Sequence, residues 1–355
     1  MSFRKVFIAI CFVLIAMTQA ASPAKVIGFY PYWVQYSQFY PKDVQYNLVT
    51  DIHYVGVTPS AEGTLDFTDA SDTPNFEDLV KLASNNNVRV MLVVGGFEAE
   101  EAFKAVASSE VALPAFVAAV QQWIAKYNLA GIELDWQNLT SEEKELYSKL
   151  VNALAQAKGS SALSLTVYPS VGEEVYDSAT LNQADYVTVF MKDQMTADSP
   201  ELKANLGAVD VSNSIKSLTD AGVDASRLVP IVPLYAKTFI GATGFGSAHQ
   251  GVGSGNEGFV PYHDLMDNVF NGSDYTVTFD ESSKSELAVS STQAVVFVGI
   301  PTMKAIASQV KEAGLAGLAV YDLSQDHREP IVSLLVTAGL VLRPDVNYKP
   351  AKKKK

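Results

Sequence analysis

Cysteine is almost absent from this sequence, because the only thiol among 355 residues belongs to Cys11. Cys11 lies inside an apolar run at the N-terminus, so a chain cleaved after that run would carry neither a thiol nor a disulfide. For the cleaved chain this excludes both a disulfide-stabilised scaffold and a cysteine nucleophile. Secreted animal proteins of this size more often carry disulfides, and we therefore favour a bacterial exported protein.

The N-terminus has the pattern of a secretory signal peptide. A basic start, MSFRK, is followed by the apolar run VFIAICFVLIAM and by the small residues of TQAA, which suit cleavage. The apolar run is too short to span a bilayer, and no later segment is long and apolar enough to do so. We expect residues 1–20 to be a signal peptide and the protein to be secreted or periplasmic, without a membrane span. A lipid attached at Cys11 is the alternative, which the large Ile10 before it disfavours.

Positive charge is also scarce. The formal net charge is −13, and an acidic chain argues against nucleic acid as a partner. The exception is the terminal AKKKK, part of a basic tail predicted over residues 343–355. We interpret the tail as solvated, with contact to an anionic surface as the alternative. The 4 histidines are scattered without the spacing of metal ligands, so we predict neither a metal nor another cofactor.

Short apolar runs alternate with amphipathic stretches along the rest of the chain. The stretches FEDLVKLASNN and LPAFVAAVQQWIAKYN have apolar residues three and four apart, as helices do. Thr140 and Glu143 have the spacing of a capping box, and Gly159 marks the predicted end of the helix that follows. This alternation favours an α/β fold, with a parallel sheet closed into a (β/α)8 TIM barrel. An open doubly wound sheet is disfavoured, because no glycine-rich phosphate turn follows the first strand. Strands are predicted over residues 25–30, 48–57, 88–94, 130–136, 163–169, 185–191, 227–235 and 315–323.

Residues 240–293 break this alternation. They begin with the glycine- and serine-rich segment GATGFGSAHQGVGSGNEG and later contain the strand-like YTVTFD. We predict a short insertion between strands seven and eight, within a barrel domain that spans residues 21–342.

Aromatic residues are concentrated at the predicted carboxyl ends of the strands, where barrels of this kind place their sites. A single aromatic residue there would ordinarily belong to the core. Several around one mouth predict stacking faces for flat, partly apolar groups such as sugar rings. These residues are Tyr30, Tyr32, Trp33, Phe97, Trp136, Tyr168, Tyr235 and Tyr321.

The fourth run, AGIELDWQ, carries the residues most informative about chemistry. Because side chains alternate along a strand, Glu133, Asp135 and Gln137 should point to the same side, towards the mouth of the barrel. The alternative for the two acids is a buried polar network that neighbouring side chains satisfy.

Several segments together resemble the glycoside hydrolase family 18 chitinases and their non-catalytic, chitinase-like relatives. In chain order they are VIGFYPYW, VRVMLVVGGF, AGIELDWQ, LVPIVPLYAKTF and GLAGLAVYDLSQD, and they extend over nearly all of the chain beyond residue 20. The resemblance implies a (β/α)8 barrel and a ligand that contains N-acetylglucosamine. This chain departs from the family where Val93 replaces the usual serine, Lys237 the usual arginine and Tyr321 the usual tryptophan.

The family's defining strand reads Asp-Gly-apolar-Asp-apolar-Asp-apolar-Glu, and AGIELDWQ aligns with it without a gap. Ala130 and Glu133 replace two of the aspartates, Asp135 is retained, and Gln137 replaces the glutamate. The resemblance implies substrate-assisted hydrolysis, in which the retained aspartate orients the acetamido group of the sugar and the glutamate protonates the leaving oxygen. An amide cannot deliver that proton. The resemblance therefore implies a catalytic constellation of Glu133, Asp135 and Gln137 that has lost its general acid.

A second departure lies at the end of the sixth strand, where the family has Met-x-Tyr-Asp and this chain has FMKD. Only the final aspartate, Asp193, is retained. We expect Lys192 to form an ion pair with Asp193, Asp135 or Glu133 rather than to act as a catalytic lysine.

We therefore expect a chitinase-like protein that binds a glycan containing N-acetylglucosamine, of the chitin, peptidoglycan or N-glycan type, and that has lost ordinary hydrolysis. One alternative is an active glycosidase whose acid is displaced to Glu133, or to Glu98, Glu100 or Glu101. The other alternative is an interaction scaffold that binds a protein partner and no sugar. Besides Asp135 and Gln137, the expected glycan contacts are Tyr30, Trp33, Phe97, Trp136, Lys192, Asp193, Tyr235 and Tyr321.

Overall fold

The computed structural model of the chain describes residues 24–169, 175–191, 193–271, 274–346 and 348. The predicted signal peptide and the terminal AKKKK lie outside these residues, so both stay predictions. Within the described ranges the strands are β1 (Lys25–Pro31), β2 (Asp51–Pro59), β3 (Leu65–Phe67), β4 (Arg89–Gly95), β5 (Gly131–Asp135), β6 (Ala162–Val167), β7 (Tyr186–Phe190), β8 (Leu228–Pro233), β9 (Tyr235–Ile240), β10 (Phe259–Pro261), β11 (Thr276–Asp280), β12 (Ser285–Val289), β13 (Gln293–Phe297) and β14 (Gly317–Tyr321).

Eight of these strands form the closed barrel that the alternation of strands and helices predicts. They pair in parallel in the order β1-β2-β4-β5-β6-β7-β8-β14, and β14 pairs with β1 to complete the circle. Closure removes the unpaired edges that an open sheet would leave. The predicted fold class, a (β/α)8 barrel, is confirmed.

The start and stop signals predicted for the helix after β5 are both found in the structure. The backbone N–H of Thr140 donates to the Glu143 carboxylate at 2.7 Å, which is one half of the predicted capping box. Gly159, with a φ of +57°, follows the end of the same helix in the left-handed conformation that glycine tolerates. The helices are α1 (Thr73–Asn85), α2 (Glu100–Ser108), α3 (Ala112–Tyr127), α4 (Lys144–Ala157), α5 (Ser178–Leu181), α6 (Ala208–Asp220), α7 (Tyr262–Asp264), α8 (Ile300–Glu312) and α9 (Leu334–Leu342).

Among the described helices, none is by itself both long and apolar enough to cross a membrane. The pair α2 and α3 meets the length and composition criteria only when taken together, and the two helices are bent by 115°.

The barrel strands divide their side chains between two apolar layers, because successive side chains point to opposite faces. Outward-facing side chains pack against the helices, where most of the core lies, and Leu134 and Trp136 belong to this outer layer. Inward-facing side chains form a smaller cluster inside the barrel, made of Ile27, Phe29, Val93, Val229, Ile231 and Ala319.

The predicted insertion forms a five-stranded antiparallel sheet with the order β10-β9-β13-β12-β11. The strands of this sheet lie between Tyr235 and Phe297, so the insertion begins earlier and ends later than the predicted residues 240–293. The sequence predicts residues 227–235 as one strand, but the barrel strand β8 ends at Pro233. A proline has no N–H with which to extend the parallel ladder, and the chain continues instead into β9, which pairs with β13.

The described part of the predicted C-terminal tail packs against the barrel domain. Tyr348 is buried, and its hydroxyl donates to the backbone oxygen of Arg343 at 2.8 Å. Its ring lies so close to Gly339 of α9 that a Cβ on that glycine would be 2.5 Å from the ring. The packed domain therefore extends beyond the predicted boundary at residue 342.

Leu134 offers a test of the outer core layer. Leu134→Ala removes a fully buried side chain from β5, and we expect the free energy of unfolding to fall by about 2–5 kcal/mol. Urea-induced unfolding measures this loss. Leu340→Ala is the matched control, because Leu340 of α9 is 57% exposed and should change the free energy little. Equal losses in the two variants would contradict the assignment of Leu134 to the core.

Candidate functional site at the barrel mouth

β5 and the residues that follow it send polar side chains inwards and apolar side chains outwards. Trp136 is fully buried and stacks on Phe103 of α2, with ring centroids 5.2 Å apart. The prediction that Trp136 contacts a glycan is therefore wrong. The alternation that aims Asp135 into the barrel turns the neighbouring tryptophan towards the helices.

Glu133 lies fully buried inside the barrel and is surrounded by partners. His53 Nδ1 contacts one carboxylate oxygen, and the Thr166 and Thr188 hydroxyls donate to the other, Thr188 at 2.7 Å. Burial by itself would raise the pKa of Glu133, but His53 and the two hydroxyls hold that pKa below its usual value. Glu133 therefore belongs to a buried polar network, which was the alternative interpretation, and it has no exposed surface for a ligand.

Asp135 lies above this network and is also largely buried, at 7% exposed. The Tyr168 hydroxyl donates to its Oδ1 at 2.6 Å, and the Gln137 amide donates to its Oδ2 at 3.1 Å. Burial raises the pKa of Asp135 to about 6, and the nearby charges of Glu133 and Glu100 act in the same direction. The two hydrogen bonds favour the ionised form and oppose that rise. Both oxygens of Asp135 are thus engaged by protein donors.

Two consecutive glycines at the end of β4 allow the backbone to approach Asp135 closely. Gly95 has a φ of +112°, and a Cβ added there would lie 2.3 Å from the carbonyl oxygen of Asp135. The N–H of Gly96 donates to that same carbonyl at 2.8 Å. The glycine pair of VRVMLVVGGF therefore supports the end of β5 at the point where its polar side chains emerge.

Tyr168 is a site residue that the sequence predictions did not include among the contacts of Asp135. It appeared there only as one of several strand-end aromatic residues. Its position in the sequence indicates the inward direction of its side chain. Tyr168 follows Ser164 and Thr166 at intervals of two, and Thr166 faces Glu133. His53 was missed in the same way, since no spacing along the chain connects it with Glu133, 80 residues away.

Asp193 forms a second polar cluster, which joins the barrel to the insertion. Its Oδ1 accepts from the Tyr235 hydroxyl at 2.9 Å and from the Asn205 amide at 2.7 Å. Its Oδ2 accepts from Lys237 Nζ at 3.0 Å, and Lys237 is almost fully buried. Asp193 and Tyr235 therefore come together as two of the predicted site residues.

Lys192 lies outside the described residues, so its predicted ion pair remains a prediction. Two of the acidic partners predicted for Lys192 are paired with other basic side chains in the structure. Lys237 is paired with Asp193, and His53 is paired with Glu133.

The remaining aromatic residues divide between the core and the surface. Tyr30 is 1% exposed, and its hydroxyl donates to the backbone oxygen of Phe39 at 3.2 Å, outside the barrel. The prediction of Tyr30 as a glycan contact is therefore wrong, because it points outwards from β1. Tyr321 is half-buried inside the barrel and packs against Phe29 at 5.4 Å. Trp33 and Phe97 do present exposed rings.

A cleft of about 890 Å³ opens beside these residues. It lies between the loops that follow β1 and β14 and the edge of the insertion. Its described lining includes neither Asp135 nor Gln137, so this cleft is displaced from the two residues that the sequence places at the centre of the site. The lining includes Trp33, Tyr235, Phe259, His263, Asp322 and Arg328.

Three glutamates follow β4, and one of them reaches towards the site. The Asn138 amide, next to Gln137, donates to Glu100 Oε1 at 2.7 Å. Glu101 instead pairs with Lys104 at 2.8 Å, and Glu98 is exposed. Among the described residues, no group of three or more His, Cys, Asp or Glu side chains is arranged to hold a metal ion.

The sequence that builds this barrel matches a known family. The profile described as "Glycosyl hydrolases family 18" matches residues 25–326, which include every described strand of the barrel. The chain belongs to glycosyl hydrolase family 18.

Relatives of this family 18 chain are distant in sequence and close in fold. The chitinase-like mite allergen Der f 18.0101 of Dermatophagoides farinae is 22% identical over 329 residues, which cover 85% of this chain and 71% of the allergen. The Group IV chitinase of Ostrinia furnacalis in complex with allosamidin has a TM-score of 0.84 at 21% identity and covers 91% of this chain and 100% of the chitinase.

A third similar structure is a family 18 chitinase of Cycas revoluta. It is a double mutant, in which one change is glutamate to glutamine, in complex with (GlcNAc)4. Its TM-score is 0.80 at 22% identity, and the match covers 90% of this chain and 99% of the chitinase.

The raised pKa of Asp135 predicts a specific dependence of stability on pH. Its pKa of about 6, against an ordinary 3.8, means that the folded chain binds the proton more tightly than the unfolded chain does. The folded state therefore loses stability as the pH rises from about 4 to about 6, by up to about 3 kcal/mol. Asp135→Asn removes this loss, so its free energy of unfolding relative to the wild type should increase by that amount between about pH 4 and pH 7.

Urea unfolding at both pH values measures this difference. Asp66→Asn is the control, because Asp66 is an exposed aspartate on β3. A difference between Asp135→Asn and the wild type that stays constant with pH would show that the pKa of Asp135 is not raised.

Proposed function

We propose that this chain is an exported, chitinase-like protein that binds a glycan containing N-acetylglucosamine and lacks ordinary chitinase catalysis. Its membership of glycosyl hydrolase family 18 and the chitinase-like mite relative support the general class. The (GlcNAc)4 complex of a similar fold supports the ligand class. The basic and apolar pattern of residues 1–20 supports export.

Gln137 is the observation that carries the proposal on catalysis. In the alignment of AGIELDWQ with the family's strand, it occupies the place of the glutamate that protonates the leaving oxygen. Its amide nitrogen donates to Asp135 at 3.1 Å. An amide donates hydrogen bonds but has no acidic proton to transfer, and general-acid catalysis contributes roughly 10²–10⁴ to a rate.

The surroundings of Asp135 support the same conclusion. In substrate-assisted hydrolysis this carboxylate has to contact the acetamido group of the sugar. Here the Tyr168 hydroxyl and the Gln137 amide already occupy its two oxygens. An acetamido group would have to share an oxygen of Asp135 with one of these donors or replace that donor.

The cleft beside Tyr235 supplies the binding surface in this proposal. Trp33 is 40% exposed and Phe259 is 37% exposed, and both line the cleft. Exposed rings of this kind stack against the apolar faces of sugars. Tyr32 packs edge-on against Trp33 at 5.2 Å and holds the indole in place.

A second candidate function is an active glycosidase with a displaced acid, and Glu100 is the residue that favours it. Glu100 is tied to Asn138 at 2.7 Å, and its charge contributes to the raised pKa of Asp135. Glu133 does not suit this role, because it is fully buried in the network with His53. Turnover of a chromogenic chitobioside by the wild type that disappears in Glu100→Gln would establish this second function.

Binding without turnover is the first expected outcome. We expect calorimetry to show binding of GlcNAc oligomers, and Trp33→Ala to weaken it by roughly tenfold or more, as loss of a stacking face should. Tyr36→Ala is the matched control, since Tyr36 lies on the same segment, is 67% exposed and is not part of the described lining of the cleft. Absence of heat with every GlcNAc oligomer and muropeptide would favour an interaction scaffold with a protein partner.

Gln137→Glu tests whether the missing acid accounts for the missing catalysis. A glutamate there would lie beside Asp135, and two adjacent carboxyls raise the pKa of one of them into the range of a general acid. We expect turnover of a chromogenic chitobioside to rise by roughly 10²-fold, the lower end of the general-acid range, because Tyr168 still holds one oxygen of Asp135. Gln122→Glu, on the exposed face of α3, is the matched control. A variant that binds GlcNAc oligomers without any gain in turnover would contradict this account.

A further inference from the structure

The cleft beside Tyr235 carries an excess of carboxylates. Asp43, from the loops after β1, Asp267, from the insertion, and Glu329, from the loop after β14, line it from three separate segments. Asp322 and Asp326 also belong to its described lining. The guanidinium of Arg328 is the one Lys or Arg group among the described lining residues.

Arg328 neutralises little of this charge. Its guanidinium nitrogen lies 3.5 Å from Asp43 Oδ1, and its side chain is 65% exposed. An ion pair that is this long and this accessible to water is weak and readily exchanged. Arg328 can therefore leave Asp43 for another partner at small cost.

His327 is held by neighbouring groups of the cleft. Its Nδ1 accepts a hydrogen bond from the backbone N–H of Glu329 at 3.0 Å. Its Nε2 lies 3.1 Å from Asp267 Oδ1. The Asp267 side chain is still 61% exposed, so its carboxylate can reach a ligand in the cleft.

Carboxylates remain in excess when the two deeper aspartates, Asp322 and Asp326, are left out of the count. Asp322 accepts from Ser324 and Gln325, and Asp326 caps α9 through the backbone N–H groups of Leu334 and Leu335. With both left out, three carboxylates face Arg328 and the partly exposed His263. Carboxylates therefore outnumber the guanidinium in the described lining of the cleft.

The aromatic faces of the cleft suit a cation as well as a sugar ring. Lys237 Nζ already lies 4.6 Å from the centroid of Phe259, on a ring that also lines the cleft. Trp33, the aromatic type that binds cations best, leaves its ring partly open on the same cleft.

We propose that this cleft selects partly deacetylated glycans, whose glucosamine units carry protonated amines, over fully N-acetylated ones. An N-acetylglucosamine unit is neutral, and loss of its acetyl group exposes an ammonium that Glu329 and Asp267 can pair with. The inference rests on the proposed function, since it names the substrate class of the same glycan site.

The test compares a glucosamine pentamer with an N-acetylglucosamine pentamer by calorimetry on the full chain in slightly acidic buffer. We expect the glucosamine pentamer to bind about tenfold more tightly at low salt, as two partly exposed ion pairs would produce. The ratio of the two affinities should fall towards one at about 0.5 M salt, where exposed charges are screened. It should also fall towards one in the double variant Asp267→Asn/Glu329→Gln.

Asp66→Asn, an exposed aspartate outside the cleft, should keep the wild-type ratio. Binding of the N-acetylated pentamer with equal or higher affinity would overturn this inference and leave the proposed function standing. A preference for the amine that survives in the double variant would also overturn it, because the charge would then act from elsewhere. Failure of both pentamers to bind would overturn the proposed function as well.

Discussion

A carboxylate buried inside a barrel needs a donor for its oxygens, because a low dielectric penalises an unpaired charge. This requirement organises the site. Glu133 is held by His53 and two threonine hydroxyls, and the layer above it holds Asp135 through Tyr168 and Gln137. The donors that stabilise these buried acids therefore also fix the orientation of the Asp135 carboxylate.

The second polar cluster connects the chemistry of the barrel to the shape of the cleft. Asp193, at the end of the sixth barrel strand, holds Tyr235 and the buried Lys237 on the first strand of the insertion. Lys237 in turn lies over Phe259, whose ring forms part of the cleft wall. The charged pair of Asp193 and Lys237 thus connects the insertion to the mouth of the barrel.

Much of the fold could be predicted because its signals are local. The capping pair Thr140 and Glu143, the stop at Gly159 and the alternation of strands with helices each appear within a few residues. The errors arose where a single rule was applied incompletely. Trp136 and Tyr30 were assigned to the mouth for being aromatic strand-end residues, although alternation relative to their neighbours turns them towards the helices.

The sequence by itself determined the barrel, the inward direction of Glu133, Asp135 and Gln137, and the resemblance to family 18. Hydrophobic periodicity and the order of the motifs can be recognised without knowing which residues are in contact. Only the tertiary structure decided the partners. Closing eight strands brings residues 80 positions apart into contact, as with His53 and Glu133, and no spacing along a chain encodes such a pair. It also decided that the cleft lined by Trp33 and Tyr235 leaves out Asp135, because cavity shape depends on how loops from distant segments pack.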